Sequence, residues 1–276
     1  MELVAAMALL TLLLVPALRA LLGVGRQSAA VVEHAAAQAG VRTGLLLAQA
    51  ELRELGADAF GADVLRLSPD SVTYRAARGF GITCAILATQ VRILDAPPLP
   101  FSALRAISPG RDTLLLFVEG DPLTSADDHW VHAPVLSVGS GSCGGSPALA
   151  VGTTDLTFLL PTGALSDLVP GGPVRTFEVV RLAEYASGGQ RWLGAASLSG
   201  GELIQPVAGP LVGEGMALEF FDAAGAPTAS SAAVRSMRIT LEGASERAVS
   251  RIWSAGPSAF VVETVATRLF LRNLAP

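Results

Sequence analysis

Leu3-Val-Ala-Ala-Met-Ala-Leu-Leu-Thr-Leu-Leu-Leu-Val-Pro-Ala-Leu18 carries no charge, and only Thr11 and Pro16 interrupt its aliphatic character. In helical conformation a run of this length reaches about 24 Å, against a bilayer hydrocarbon core of about 30 Å. Arg19 follows, and apolar residues resume at Leu21, Leu22 and Val24. If Arg19 snorkels toward headgroups, residues 3–25 extend the reach to about 35 Å, which predicts a spanning helix. Pro16 adds a kink of the kind membrane helices tolerate. A cleaved signal peptide is the alternative. It calls for a basic stretch ahead of the apolar run, whereas here the run begins directly behind Met1 and Glu2.

Downstream the helical pattern continues. Ala29, Ala30, Val31, Val32, Ala36, Leu45, Leu46, Leu52 and Leu55 recur among Glu33, Gln38, Arg42, Gln49, Glu51, Arg53 and Glu54. Gly40 and Gly44 weaken the helix by up to about 1 kcal/mol each. A helix over residues 3–55 is about 80 Å long, with a first half apolar throughout and an amphipathic second half. Glu2 stands at its start. A carboxylate beside an apolar helix is costly to bury, so on the segment alone it reads as a group left in the aqueous headgroup zone.

Composition excludes several function classes. Half of the residues are apolar, with only 5% aromatic and 16% charged, and only one segment approaches the length of a spanning helix. The net charge of −5, with arginine as the sole strongly basic residue type, argues against a nucleic-acid partner. The two cysteines, Cys84 and Cys143, form no C-x-x-C pair. They read either as one disulfide, which persists only in an oxidising compartment, or as two unrelated thiols.

Beyond Gly56 short apolar or alternating runs are separated by turn residues. Strands are predicted at residues 64–67, 71–75, 82–87, 90–94, 113–119, 130–138, 157–160, 176–182, 191–194, 203–206, 217–221, 234–241 and 261–271. Residues 95–111 and the Gly- and Ser-rich 139–150 read as long loops. Many short strands with regular turns predict an antiparallel sheet.

Catalytic signatures are weak. Gly139-Ser-Gly-Ser-Cys-Gly144 fits G-x-G-x-x-G, but Pro147 follows where a dinucleotide site needs a helix, so a flexible loop is expected. His129 and His132 lie near Asp121, Asp127 and Asp128, which are weak candidates for calcium; an i, i+3 pair on a strand points to opposite faces. His34 reads as a solvated or inter-subunit residue of the helix. No G-x-S-x-G elbow occurs, and Glu178, Glu184, Glu219, Asp222 and Glu263 are scattered over predicted strands. No cofactor, catalytic residue or metal site is expected.

Glu2-Leu-Val-Ala-Ala-Met-Ala-Leu-Leu10 resembles the amino-terminal signature of type IV pilins, E-L-x-x-A followed by apolar residues. Met1 stands where that family has the variable residue before the glutamate; the leader, cleavage glycine and methylated phenylalanine of the family do not precede it. The order of VLRLSPDSVTYRAARGFGITC (residues 64–84), FEVVRLAEYASGGQRWLG (177–194), ALEFFDAAGAPT (217–228), AAVRSMRITLEG (232–243) and TRLFLRNL (267–274) is similar to the larger minor pilins of the W type and the J-type pseudopilins of type II secretion. The resemblance implies that Glu2 neutralises the terminal amine of a neighbouring subunit as helices pack. Leu3, Leu9, Leu10, Leu13, Pro16 and Leu22 would lie in the transmembrane, filament-core part.

The expected fold is therefore α+β, a long N-terminal helix with a transmembrane half and an amphipathic half, packed on a mainly antiparallel β-sheet head. Residues 1–25 form the transmembrane and filament-core helix, 26–56 its amphipathic continuation, and 57–276 the β-rich extracytoplasmic head. The expected role is structural, not enzymatic: a tip-located, assembly-priming minor pilin or pseudopilin. Its partners would be other pilins or pseudopilins, an inner-membrane assembly platform, and a prepilin peptidase if a leader lies upstream. The expected location is a single pass of the inner membrane, then a periplasmic or surface filament. A stand-alone, signal-anchored binding protein or adhesin, with residues 26–55 as a stalk, is the second reading; a membrane-anchored hydrolase is the third.

Overall fold

The structure, a computed structural model, describes residues 2–58, 61–119, 123–124, 128–249 and 259–272; the side chains of residues 2–6, 8, 9, 11, 57, 58 and 61 are not described. One helix, α1 (Glu2–Leu52), precedes all strands. The strands are β1 (Ala57–Asp58), β2 (Gly61–Ala62), β3 (Val64–Ser68), β4 (Ser71–Leu87), β5 (Gln90–Leu94), β6 (Ser102–Ala103), β7 (Thr113–Val118), β8 (His129–Cys143), β9 (Ser146–Thr153), β10 (Pro173–Ser187), β11 (Gln190–Ser197), β12 (Gln205–Phe221), β13 (Ser236–Ala244) and β14 (Val262–Phe270). β1 pairs only with β2. The rest form a continuous antiparallel system in the order β14-β13-β12-β11-β10-β7-β8-β9-β5-β4-β3, with β6 on β4 and β10 also bonded to β4.

Two strands organise this system. β10 pairs with β4 along one edge from Pro173 to Ala183; its other edge meets β7 over Val174–Phe177 and β11 over Val180–Ser187. The two partners of that second edge belong to separate cores. The first core packs α1 (Val41, Ala48, Leu52) against Tyr74, Leu193, Met237, Ile239 and Leu241. The second gathers Val91, Ile93, Leu114, Leu116, Val151 and Leu156, closed by Val174 of β10. β4 crosses between them. Phe101 lies over its backbone where a side chain would not fit: a Cβ on Gly79 would meet Phe101 at 2.6 Å, and one on Gly81 at 2.9 Å. Glycine is required there by close approach.

Several expectations are corrected. The fold is predominantly antiparallel β with one N-terminal helix, not α+β with a transmembrane half. Among the described residues no helix is long and apolar enough to cross a membrane. Arg19 ends the uncharged run, and Gly23, Gly25, Arg26, Gln27 and Ser28 dilute the apolar residues beyond it. The single-pass inner-membrane placement of a membrane-anchored head is corrected with it. Residues 139–150 are a hairpin, β8 and β9 paired from Val135↔Thr153 to Cys143↔Ser146. Gly144 and Gly145 turn it at φ +56° and +90°, a region glycine enters without strain. Residues 157–160 are mostly a 3-10 turn (Leu156–Leu159), because the Asp155 carboxylate accepts from the Thr157 amide at 3.0 Å and starts a turn there. The strands expected at 71–75 and 82–87 are one strand, since Ala76–Gly81 keeps its ladder to β10.

Cys84 of β4 and Cys143 at the tip of β8 are bonded, with their Cα atoms 6.0 Å apart. The bond ties the hairpin of the second core to the strand shared by both cores. Closing a loop with a sequence separation of 59 restricts the unfolded chain, so Cys84→Ser with Cys143→Ser is expected to lower stability by about 2–4 kcal/mol. Chemical denaturation of the wild type with and without reductant, beside the double serine variant, measures this. Equal midpoints in all three would show that the bond constrains nothing.

Candidate functional site

Two features carry the chemistry: the helix, and a charged cluster beneath its C-terminal end. The helix is docked only along its last third. Ala37, Val41, Ala48 and Leu52 are buried, one side of the helix at i, i+4 and i+7 spacing. Gly44 lies among them, and a Cβ there would meet the Ala208 Cβ at 2.8 Å and Leu241 at 3.2 Å, so the helix axis comes close to the sheet. Contacts to the head begin with the Arg247 amide donating to Glu33 at 3.2 Å and with His34 Nε2 3.3 Å from Glu263. Gln49 donates to Thr267 at 3.0 Å.

Upstream of Glu33 no described side chain of the helix is buried, a length of about 32 Å from Leu12 to Val32. Leu10, Leu13 and Leu22 are exposed, and so are Leu12, Leu14, Val15, Leu18, Leu21, Val24, Val31 and Val32. Leu12, Leu13, Leu14 and Val15 are consecutive; at about 100° per residue they point around most of the circumference. No polar face is left on that stretch, and a helix apolar all round is built to be buried. Pro16 lies inside the helix without ending it. Glu2, Leu3 and Leu9 belong to α1, but their side chains lie outside the described residues.

At the docked end, the Glu178 carboxylate on β10 is almost fully buried. It accepts from Arg78 Nε and Arg111 Nε at 2.5 Å and from Ser197 Oγ at 2.6 Å, with Arg105 Nη2 at 3.3 Å. Each arginine has a second acidic partner. Arg78 reaches Glu51 of α1 at 3.1 Å, Arg105 grips Asp112 through two bonds of 2.7 Å, and Arg111 meets Glu202 at 2.6 Å. The cluster thus joins the helix end, β4, the 104–112 loop, β10 and the turn after β11. Burial alone would raise the Glu178 pKa; the hydrogen bonds from Arg111, Ser197 and Arg78 outweigh it and hold it at about 2. Tyr74, buried beside Glu51, has its phenol pKa pushed well up, by burial first and then by that carboxylate. Three arginines and four carboxylates interlock here, each with at least one partner of opposite sign, so the arrangement clamps the segments that carry them.

No family model matches the chain. No curated protein and no solved structure matches it either.

The remaining residues singled out by sequence are dispersed. Asp121 and Asp127 lie outside the described residues; Asp128 sits just before β8. His132 packs edge-on to Phe177 with centroids 5.5 Å apart, and burial followed by Arg75 lowers its pKa. Among the described residues no group of three or more His, Cys, Asp or Glu is placed to hold a metal ion. Gly139 and Gly141 are strand residues of β8, with no helix behind them. Glu184 accepts from the Met216 amide at 3.0 Å, Glu219 pairs with Arg238, and Asp222 caps its own turn. Of the scattered carboxylates only Glu178 belongs to a cluster, and no sequence signal marks it. Its partners are up to 100 residues away and follow no motif.

The folded pKa of Glu178 lies below its ordinary value of 4.5, so its contribution to stability is complete above that value and is lost as pH falls through about 2. Glu178→Gln is expected to destabilise the protein by about 3 kcal/mol at neutral pH, since it removes the buried charge that three half-buried guanidinium groups share. Thermal unfolding of both proteins between neutral pH and pH 2 should show the difference closing only below about 4.5. A difference unchanged at pH 2 would mean that packing, not charge, is responsible.

Proposed function

We propose that the chain is a structural subunit of a filament whose subunits are joined through their N-terminal helices, in the manner of a minor pilin or pseudopilin. The observation that carries the reading is α1 itself, docked on the sheet by its C-terminal part. Over about 32 Å from Leu12 to Val32 it carries exposed apolar side chains that point around most of its circumference at Leu12–Val15 and recur at Leu18, Leu21, Leu22, Val24, Val31 and Val32. Such a segment gains roughly 25 cal/mol for each Å² of apolar surface removed from water, and the corresponding helices of other subunits supply a matching apolar surface. The resemblance of Glu2–Leu10 to the pilin signature agrees with this and gives Glu2 its role, neutralising the terminal amine of an adjoining helix. The partners are other pilin-like subunits. The clamped head fits a non-enzymatic role, presenting a rigid surface at the end of the helix.

Placing lysine at Leu13 and Leu21, both exposed, should abolish association of the full chain while leaving the unfolding transition of the head unchanged. Sedimentation velocity and thermal unfolding report the two properties separately, and Glu2→Ala should weaken association without altering the head. A wild-type chain that remains monomeric, or variants that associate as well as wild type, would favour the stand-alone binding protein.

A further inference from the structure

A second surface lies on the sheet face away from α1, and the assembly reading does not use it. Val72, Tyr74, Val180 and Leu182 point into the first core, so their neighbours Thr73 and Arg181 point to the opposite face. Arg66 of β3 is paired with Thr73, and Thr73 with Arg181 of β10, so the three stand in a row across three strands. At about 4.8 Å per strand the two arginine backbones are about 10 Å apart, with the buried Thr73 on the strand between them. They line an open cleft of about 720 Å³, with Val179, Leu198 and Asp70 also in its lining.

The charge here is unmatched. Arg78, Arg105 and Arg111 on the helix side each hold carboxylates. Arg66 and Arg181 are exposed and make no ion pair or hydrogen bond among the described residues. The one acid nearby, Asp70, accepts from Ser68 Oγ at 2.5 Å and feels Arg181 only at longer range. In a chain of net charge −5 this is a local excess of cation.

We propose that this cleft docks an acidic segment of a partner protein, one carboxylate held between Arg66 and Arg181 and its aliphatic neighbours packed on Val179 and Leu198. Charge complementarity selects the anion, and guanidinium geometry favours a planar carboxylate. The cleft is much larger than a lone anion and has apolar residues in its lining. Two exposed guanidiniums alone bind a small ion weakly, so the apolar neighbours supply the rest of the affinity.

The test is fluorescence anisotropy with the full chain and a labelled, end-blocked Val-Glu-Leu-Glu-Val peptide. Binding is expected to weaken about tenfold or more in R66Q/R181Q and for the peptide with Gln in place of Glu, and to fall between about 50 mM and about 500 mM salt. Both arginines are exposed, so the variant should unfold at the wild-type temperature; R181Q alone serves as the milder substitution. No binding, equal binding by the variant or by the Gln peptide, or displacement by an equal concentration of acetate would overturn the proposal. None of these results bears on helix-driven association, which sedimentation reads independently.

Discussion

The buried carboxylate of Glu178 is the constraint on which the rest of the head depends. A single ionised group in that position is tolerable only if it is fully hydrogen-bonded, and three donors from three separate segments meet it. Because the partners come from β4, the 104–112 loop and the end of β11, meeting the needs of one charge fixes where three pieces of chain must lie. Glu51 extends the same arrangement to the helix through Arg78. Two cores that meet only along β10 and β4 are thus locked at the point where those strands run side by side.

Helix docking follows a different logic. Small residues at Gly44 and Ala48 bring the helix backbone close to the sheet, and Leu52 and Leu55 close the core beneath it. The same helix carries large aliphatic residues upstream, which are exposed among the described residues. The change from small, buried residues to large, exposed ones along a single helix divides it into a part that belongs to this molecule and a part that faces outward.

Much of this architecture is legible in the sequence, and the exceptions have physical causes. The long helix is visible because its apolar character and periodicity run unbroken by any strong stop signal; a bilayer span is suggested only by the first sixteen uncharged residues, and the chain beyond them does not sustain it. Most strands are visible through short apolar runs, but Gly79 and Gly81 read as a break although they make room for Phe101. The Gly- and Ser-rich residues 139–150 look like a loop, yet alanine, valine and glycine on β9 let that hairpin pair closely. Cys84 and Cys143 stand out as a candidate pair; their proximity depends on the β4–β5–β9–β8 order, which no local pattern encodes. The Glu178 cluster is invisible for the same reason, since arginines at 78, 105 and 111 look like ordinary surface charges until the strands are paired.

The bond between Arg78 and the end of α1 also sets how the molecule would bear tension. A pull on the helix enters the head at its docked third and, through Glu51 and Arg78, reaches Glu178 on β10. That strand lies within the sheet, held by β4 along one edge and by β7 and β11 along the other. Traction is therefore spread over three ladders at once, and the first structure to yield would be the contact between helix and sheet rather than the sheet itself.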